Sequence, residues 1–446
     1  MNIELKAKEF AIKAHKGQVR KSDKEKPMII HPINVGQILK QYGFDENVVS
    51  AGYLHDVVED TSYEIEDIKD NFNDDIASLV YGASEPDKSL SWEERKKHTI
   101  EETKKLDLRH KAVICADKIS NLEDLKILFE IKGEYDFSAF KRGYESQKWY
   151  YTEVYNSLIF NEDENNPMFI RLKELIDEIF NNKDNDEYVK NIIFKDNIEE
   201  YNKLRKIHYR KEEVYKLKKV LSDNFPYVIE FTGTPRTGKT SLINNLKDFF
   251  KKKGFVVEVL EEFTTSEKYK KEIYPTLKDK YKNVVNTEIP KYVLKQLEES
   301  IERKPDIIII DRSLFDRLIW VDRLYLKNGM SENEYSEYKK LYIPLIKNKI
   351  DIVISTYADS LTSLKRDYNA NLSLEKRSFL NETNLNEYNE SLLNMKKLSE
   401  EGNINFNLFD TTNKNQREIS FEVVDCLLKD MRQNLLNKAY KEFDFK

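Results

Sequence analysis

Over residues 1–182 the chain alternates apolar and charged positions at the spacing of about 3.6 residues that is typical of amphipathic helices. Short turns marked by Gly, Asn or Asp separate the helical segments, and none of them has the pattern of a strand. The predicted helices cover residues 2–16, 33–42, 46–60, 63–71, 74–83, 92–105, 108–130, 138–160 and 167–181. This pattern predicts an all-α domain over residues 1–182.

A different pattern begins at Pro226, after a charged helical connector over residues 183–224. Short β-rich apolar runs now alternate with helical segments, which is typical of a parallel sheet covered on both faces. The predicted strands cover residues 227–231, 255–260, 306–310, 351–356 and 406–409. We therefore expect a multidomain protein, in which the all-α domain is followed by a three-layer α/β domain over residues 225–446.

Composition excludes several classes of partner. The 74 Lys and Arg residues against 80 Asp and Glu residues give a net charge of −6, which offers no general field to attract nucleic acid or an anionic membrane. The basic run at residues 203–211 is flanked by glutamates and is interpreted as a solvated helix face. The two cysteines lack a partner spacing, and no segment has the pattern of a signal peptide or a membrane span. We expect a cytoplasmic protein that binds small-molecule nucleotides, and the sequence leaves its oligomeric state open.

The first domain contains a candidate metal site. His55 and Asp56 lie next to each other on the predicted helix 46–60, His31 precedes Pro32 at a helix entrance, and Asp117 follows on a later helix. Two imidazoles and two carboxylates suit a borderline divalent ion such as Mn or Zn and leave positions open for water and substrate. The alternative interpretation is that the histidines are ordinary core residues and the carboxylates are helix caps.

Further polar residues lie close in sequence to the four candidate metal ligands. Glu59 and Asp60 lie one turn beyond the His-Asp pair, where they can orient or deprotonate water, or protonate a leaving oxygen. Arg20 and Lys21 can neutralise phosphate oxygens. On the predicted helix 108–130, Asp117, Asn121 and Asp124 share one face. Asp117 can bind the metal there, while Asn121 and Asp124 reach toward a bound ligand.

In the second domain, the run from Gly233 to Thr240 has the complete G-x-x-x-x-G-K-T pattern between a predicted strand and a predicted helix. This loop predicts a site for ATP and Mg²⁺, in which Lys239 reaches the β and γ phosphates and Thr240 holds the metal. Asp311, at the end of an apolar strand, is the expected second carboxylate on the metal side. The predicted ATP-binding residues of the loop and helix are Gly233, Gly238, Lys239, Thr240 and Ser241.

Five motifs of the first half resemble the HD-domain hydrolases of the RelA/SpoT type, most closely the small hydrolase-only alarmone hydrolases. In order over residues 3–180, they are His15-Lys16-Gly17-Gln18-x-Arg20-Lys21, Pro27-x-Ile29-x-His31-Pro32, Leu54-His55-Asp56-Val57-Val58-Glu59-Asp60-Thr61, Glu94-Arg95-Lys96 and Ala116-Asp117-Lys118-x-x-Asn121-Leu122. The resemblance implies an all-helical fold and a Mn ion on His31, His55, Asp56 and Asp117. It also implies removal of pyrophosphate from the ribose 3′ position of guanosine tetra- or pentaphosphate.

By the same resemblance, Glu59 and Asp60 serve catalysis, and the nucleotide is bordered by Arg20, Lys21 and Asn121. One departure concerns the stretch from Glu25 to Met28, where the family usually has Gly-x-Pro-Tyr. Without that aromatic ring, the substrate can also be a related 3′-phosphorylated nucleotide instead of guanosine tetra- or pentaphosphate.

In the second half, Asp311-Arg312-Ser313 resembles the Asp/Glu-Arg-Ser element of the deoxynucleoside and thymidylate kinase group of P-loop kinases. The resemblance implies that Arg312 reaches the transferred phosphoryl group or the acceptor oxygen, and that a carboxylate after the second strand acts as base. Glu261 and Glu262 both occupy that place, and we prefer Glu262. Arg366 and Arg377 are expected as lid arginines that stabilise transition-state charge, with surface salt bridges as the alternative.

Three hypotheses follow. The first is a bifunctional nucleotide enzyme, with a Mn-dependent 3′-pyrophosphohydrolase fused to a P-loop nucleoside or nucleotide kinase. The second is a stress or defence protein in which an ATP-binding P-loop domain gates the hydrolase. The third is a nucleotide-responsive binding module with a degenerate metal site, against which the complete set of metal ligands argues.

Overall fold

A computed structural model of the chain describes residues 2–85, 89–133, 135, 137, 142–181, 187–221, 226–263, 271, 282–371 and 380–443. The chain forms two compact units. The first comprises Met1–Ser222 together with Leu428–Lys446, and the second comprises Asp223–Leu427. Among the described residues, no helix combines the length and the apolar character that crossing a bilayer requires.

The first unit is helical, as predicted. Its helices are α1 Ile3–Ala14, α2 Ile30–Gln41, α3 Glu46–Leu54, α4 Val57–Asp60, α5 Ile65–Asn71, α6 Asp74–Ala83, α7 Trp92–Thr103, α8 Leu108–Lys132, α9 Gly143–Leu158, α10 Pro167–Phe180 and α11 Ile198–Val220, with a short π-helix at Val189–Ile193 before α11. Several of these helices begin after a residue whose side chain caps the first turn, for example Asp45 before α3 and Asp107 before α8. The carboxylate accepts hydrogen bonds from backbone amides that have no partner within the helix.

The helix predicted over residues 46–60 is wrong in one respect, since it is interrupted after Leu54. His55 and Asp56 form the turn between α3 and α4. Nδ1 of His55 lies 2.8 Å from the carbonyl oxygen of Gly52, within the last turn of α3. The His-Asp pair therefore lies in a turn rather than within one continuous helix, and His55 is buried there with Nε2 3.2 Å from Oδ1 of Asp56.

Close packing of α2 against α3 brings the two histidine-bearing segments together. A Cβ atom on Gly52 would lie 2.5 Å from Cδ1 of Leu39 and 3.1 Å from the Cα of Gly36, so only glycine permits this approach. The surrounding core is apolar and fully buried, as in Leu54 and Val57 beside the turn. This crossing fixes the distance between the start of α2 and the end of α3.

The domain limits that we predicted differ from the compact units. The connector helix α11 and the end of the last helix, α18 Gln416–Glu442, pack into the first unit rather than standing apart from it or belonging to the second. The reason is apolar burial, because Leu217 and Val220 of α11 and Leu436 of α18 are at most 2% exposed within the core of the first unit.

The second unit contains a parallel five-stranded sheet in the order β2-β3-β1-β4-β5. Its strands are β1 Tyr227–Gly233, β2 Val257–Leu260, β3 Ile307–Asp311, β4 Ile352–Tyr357 and β5 Phe406–Asp410. Its helices, besides the start of α18, are α12 Lys239–Lys251, α13 Lys282–Glu302, α14 Leu314–Leu326, α15 Glu332–Lys349, α16 Ser360–Asn371 and α17 Glu382–Gly402. All five predicted strands are present, and β1 lies at the centre with its carboxyl end leading into the glycine-rich loop.

Candidate functional sites

The four predicted metal ligands of the first unit converge. Nε2 of His31 lies 3.1 Å from Oδ1 of Asp117 and 3.5 Å from Oδ2 of Asp56. Nε2 of His55 lies 3.2 Å from Oδ1 of Asp56 and 3.7 Å from the same Asp117 oxygen. Ligand atoms of His31, His55 and Asp117 all lie within 4.8 Å of one another, so these three groups face one point, and Asp56 adjoins them through its contacts with both imidazoles.

The outer nitrogen of each imidazole is held by the surrounding helices. Nδ1 of His31 lies 3.0 Å from Oγ of Ser120, and that hydroxyl in turn accepts from Nδ2 of Asn34 at 2.9 Å. Nδ1 of His55 bonds to the Gly52 carbonyl. Such outer contacts fix the ring orientation of metal-binding histidines and direct Nε2 inward.

The electrostatics of the cluster fit a cation. Nε2 of His55 is buried and makes no satisfactory hydrogen bond to any residue in the described part of the chain. Burial opposes ionisation of Asp117, but Lys118 and the two imidazoles hold the pKa of this carboxyl well below its usual value. Burial and the nearby Arg20 lower the pKa of His31, which favours the neutral imidazole that metals bind. Two imidazole nitrogens and two carboxylates form a donor set that suits a divalent ion.

A cavity of about 1270 Å³ extends from this cluster, and its lining includes Glu59, Asp60, Arg20, Lys21 and Asn121. Burial and the neighbouring carboxylates of Asp56 and Glu85 raise the pKa of Glu59, so it holds a proton more readily than an exposed glutamate. The structure thus brings the two predicted catalytic carboxylates and three predicted substrate contacts to the same cavity as the predicted metal ligands.

Arg20 is linked to the predicted metal ligands through the side chain of Asn121. Its guanidinium donates to Oδ1 of Asn121 at 2.8 Å, and Nδ2 of Asn121 donates to Oδ1 of Asp117 at 2.6 Å. Asn121 therefore connects the loop arginine to Asp117, a predicted metal ligand. The exposed Lys21 lines the same cavity.

Asp124 also borders this cavity, but its carboxylate is engaged elsewhere. Oδ1 lies 3.1 Å from Nζ of Lys216 and 3.9 Å from Nζ of Lys26. Burial opposes ionisation, yet these cations hold the pKa of Asp124 well below its usual value. A substrate contact by Asp124 stays a prediction.

Other residues of the cavity received no role from the sequence, although Arg95, Lys96 and Lys118 lie in two of the five motifs. Nζ of Lys118 lies 2.6 Å from Oδ2 of Asp117, and Glu85 forms ion pairs with Arg95 and Lys96. Lys118 follows a ligand directly and was detectable as its counter-charge. The sequence around Glu85 does not indicate its role, because its partners Arg95 and Lys96 lie on the next helix, α7.

In the second unit, the glycine-rich loop has the backbone form that its sequence predicts. Gly233 has φ 127°, and a Cβ atom there would lie 2.0 Å from the carbonyl oxygen of Thr356. Gly238 has φ 86°, another conformation that L side chains rarely adopt. Nζ of Lys239 lies 3.4 Å from the carbonyl oxygens of both Gly233 and Thr234, so the lysine folds back over the loop.

The residues predicted to bind Mg²⁺, Thr240 and Asp311, and the predicted ATP-binding residue Ser241 lie around this lysine. Thr240 and Ser241 are exposed in the first turn of α12, and Asp311 ends β3 on the neighbouring strand. Oδ1 of Asp311 is buried and has no hydrogen-bond partner among the residues that the structure describes. Burial and the cation of Arg312 lower the pKa of Lys239 to about 7. A divalent ion and a polyphosphate would satisfy both groups.

Next to the loop lies a cavity of about 240 Å³ lined by Glu262, Arg312, Arg317, Trp320 and Tyr388, among others. Nε of Arg312 lies 3.6 Å from Oε2 of Glu262. Of the two glutamates considered after β2, Glu262 therefore faces the cavity, whereas Glu261 is exposed.

Arg312 is fixed by Asp316, a residue that sequence reasoning missed. Oδ1 of Asp316 lies 2.6 Å from the Arg312 guanidinium and accepts from Thr232 at 2.7 Å, while Oδ2 lies 2.6 Å from Arg317. Asp316 is fully buried, so it orients two arginines that border the cavity. Asp316 lies in the first turn of α14, four residues after Arg312, and this short separation in sequence is the signal that could have identified it.

The two predicted lid arginines have different outcomes. Arg366 on α16 donates to Oγ1 and to the carbonyl oxygen of Thr411, just after β5, at 3.0 and 2.6 Å. Arg377 lies outside the described residues. A lid role for either arginine stays a prediction.

Comparison with known proteins agrees with this division. The HD domain family matches residues 7–132, and the AAA domain family matches residues 228–360. The first unit thus defines an HD-domain protein, and the second is a P-loop nucleotide-binding domain with a parallel sheet.

The guanosine-3′,5′-bis(diphosphate) 3′-pyrophosphohydrolase MESH1 of Drosophila melanogaster is 41% identical over 121 residues, which cover 27% of this chain and 67% of that relative. Through its first unit, the chain belongs to the HD-domain family of these pyrophosphohydrolases.

Two solved structures are also similar. One is described as a metazoan orthologue of SpoT that hydrolyses ppGpp, with 30% identity, coverage of 40% of this chain and 96% of that chain, and a TM-score of 0.35. The other is deoxyadenosine kinase from M. mycoides with bound dATP, with 21% identity, coverage of 45% and 99%, and a TM-score of 0.33.

Proposed function

We propose that the first unit is a Mn²⁺-dependent hydrolase that releases pyrophosphate from the 3′ position of guanosine tetra- or pentaphosphate, or of a related 3′-phosphorylated nucleotide. The observation that carries the proposal is the convergence of His31, His55, Asp56 and Asp117 at one end of a large cavity that also holds Arg20. The similarity to MESH1 supports the choice of substrate.

A divalent ion held by these four residues would supply a bound water of lowered pKa. Arg20 and Lys21 then bind and neutralise phosphate oxygens of the substrate, with Arg20 oriented by Asn121. Glu59, whose pKa is raised, holds a proton that it can deliver to the leaving oxygen. Asp60, at the end of the same short helix, accepts a proton from the attacking water or orients it.

A screen of 3′-phosphorylated nucleotides with Mn²⁺ tests this proposal. We expect the parent protein to release pyrophosphate, and Asp56→Ala to abolish release while sparing ATP binding. Lys239→Ala should have the reverse effect. Survival of pyrophosphate release in Asp56→Ala would refute the site.

For the second unit we propose ATP-dependent phosphoryl transfer to a nucleoside or nucleotide. Support comes from the position of Glu262 and Arg312, a candidate base and a cation that border the cavity beside the phosphate-binding loop. Lys239 and Thr240 would hold ATP and Mg²⁺, while Arg312 neutralises charge on the transferred phosphoryl group.

Incubation of labelled ATP with a panel of nucleosides and nucleoside monophosphates tests the second proposal. Transfer predicts a labelled acceptor that disappears in Glu262→Gln. If ATP binds but no acceptor is labelled, the P-loop unit is instead a regulatory domain for the hydrolase, the alternative that the sequence leaves open.

A further inference from the structure

The segment that carries Arg20 and Lys21 is a closed loop. Its ends are held by main-chain hydrogen bonds from Arg20 N to Lys26 O at 2.9 Å and from Met28 N to Gln18 O at 2.8 Å. Between them, Lys26 N bonds to Asp23 O at 3.0 Å. A displacement of the loop would therefore carry Arg20 and Lys21 with it.

The outer side of this loop is held by a residue from the far end of the chain. Arg432, on α18, donates to Oδ2 of Asp23 at 2.5 Å and to Oε2 of Glu25 at 2.7 Å. Its Nε donates to Oε1 of Glu213 on α11 at 2.9 Å. One guanidinium thus joins two loop carboxylates to the helical body of the first unit, with the side chain about one-fifth exposed.

The inner side of the loop is held separately. Lys26 is buried, and its Nζ lies 3.8 Å from Oε1 of Glu213 and 3.9 Å from Oδ1 of Asp124. Arg432 and Lys26 therefore share Glu213 as an anchor, but only Arg432 contacts the loop's own carboxylates. Loss of Arg432 would release the outer side of the loop while Lys26 stays inserted.

We propose that Arg432 is a positioning residue of the hydrolase site, which fixes the loop so that Arg20 and Lys21 are preorganised for substrate phosphates. The inference rests on the proposed hydrolase function. A planar guanidinium with several fixed donors can hold three carboxylates at once, which a lysine cannot do with the same geometry. Arg432 itself lies outside the set of residues that line the catalytic cavity.

Hydrogen exchange of the full-length protein tests the anchor independently of any activity. In Arg432→Ala we expect faster exchange of the Arg20, Lys26 and Met28 amides, with no change in the α8 amides around Asp117. The exposed Lys441 on the same helix provides a charge-matched control, and Lys441→Ala should leave loop exchange unchanged. Unchanged loop exchange in Arg432→Ala would overturn the proposal.

Kinetics test the positioning role. Arg432→Ala should raise KM for the 3′-phosphorylated substrate about tenfold and change kcat less than about twofold, since the chemical groups stay in place. Bound Mn²⁺ per chain should equal that of the parent. The KM of Arg432→Lys should lie between those of Arg432→Ala and the parent. The double variant Asp23→Asn, Glu25→Gln should show the same rise in KM as Arg432→Ala.

The outcomes distinguish failure of the positioning role of Arg432 from failure of the proposed hydrolase function. If the parent hydrolyses its substrate and Arg432→Ala has an unchanged KM, or loses kcat and Mn²⁺ together, the positioning role is refuted while the proposed function stands. If the parent hydrolyses no nucleotide of the panel, the proposed function fails and the positioning role fails with it. The exchange measurement then still decides whether Arg432 anchors the loop.

Discussion

Nε2 of His31 lies 3.1 Å from Oδ1 of Asp117, although 86 positions separate the two residues in the chain. The contact exists because α2 and α8 pack against each other. His31, in the first turn of α2, thereby meets Asp117 of α8. The buried position of His31 makes this pair costly unless a cation or a proton lies between the groups.

Ser120→Ala should weaken metal binding without removing a ligand. The Ser120 hydroxyl fixes the outer nitrogen of His31, and loss of such a partner typically costs roughly 10–100-fold in metal affinity. Titration of the metal-free protein with Mn²⁺ measures the change. Ser50→Ala, at a buried serine whose hydroxyl donates to the carbonyl oxygen of Glu46 within α3, is the matched control and should leave the affinity unchanged. Equal affinities for Ser120→Ala and the parent would contradict the role of Ser120.

Gly52→Ala should destabilise the first unit. The added methyl group would meet Leu39 and the backbone of Gly36, and such overpacking costs typically about 1–3 kcal/mol. Because Gly52 O also holds His55, we expect Mn²⁺ affinity to fall as well. Thermal unfolding with and without Mn²⁺ measures both effects. An unchanged melting temperature would contradict this prediction, because it would mean that the α2–α3 contact accommodates the added methyl group.

ATP binding should take up a proton near pH 8. The pKa of Lys239 is lowered to about 7 without ligand, and triphosphate oxygens beside Nζ should raise it. The group's pKa is thus higher in the bound state, so affinity is greatest below pH 7 and falls as pH rises above that value. Calorimetry in two buffers of different ionisation enthalpy measures the uptake.

A control variant isolates the lysine in that experiment. Lys239→Arg keeps a cation that stays protonated over this range, so any remaining ATP binding should lose the proton uptake. If the parent and Lys239→Arg show the same uptake, another group is responsible.

Asp316→Asn should destabilise the second unit and reduce phosphoryl transfer. The substitution leaves Arg312 and Arg317 without their buried counter-charge, and breaking a buried ion pair costs about 3–5 kcal/mol. Chemical unfolding and the labelled-acceptor assay measure the two effects. Glu337→Gln is the control, since the ion pair of Glu337 with Lys340 is exposed and contributes little. Similar unfolding curves for both variants would argue against Asp316 as the anchor.

Local patterns predicted the elements well because burial and capping act over a few residues. All five strands and the helical character of residues 1–182 were predicted from the spacing of apolar positions. The interruption at His55 was missed, since the side-chain bond from His55 to Gly52 competes with the helix in a way that periodicity does not record. The preference for Glu262 over Glu261 had no basis in the local pattern, because the tertiary structure decides which of these two adjacent residues after β2 faces the cavity.

The sequence by itself determined which residues are available for chemistry: the His and Asp ligands, the glycine-rich loop and the Asp311-Arg312-Ser313 element, whose spacing is local. Only the tertiary structure decided that the four predicted ligands lie together, that Asp316 fixes Arg312 and Arg317, and that Arg432 meets Asp23, 409 positions away. The physical reason is that ion pairs and metal sites depend on distances of a few ångströms, which packing of distant helices sets and which no local pattern contains.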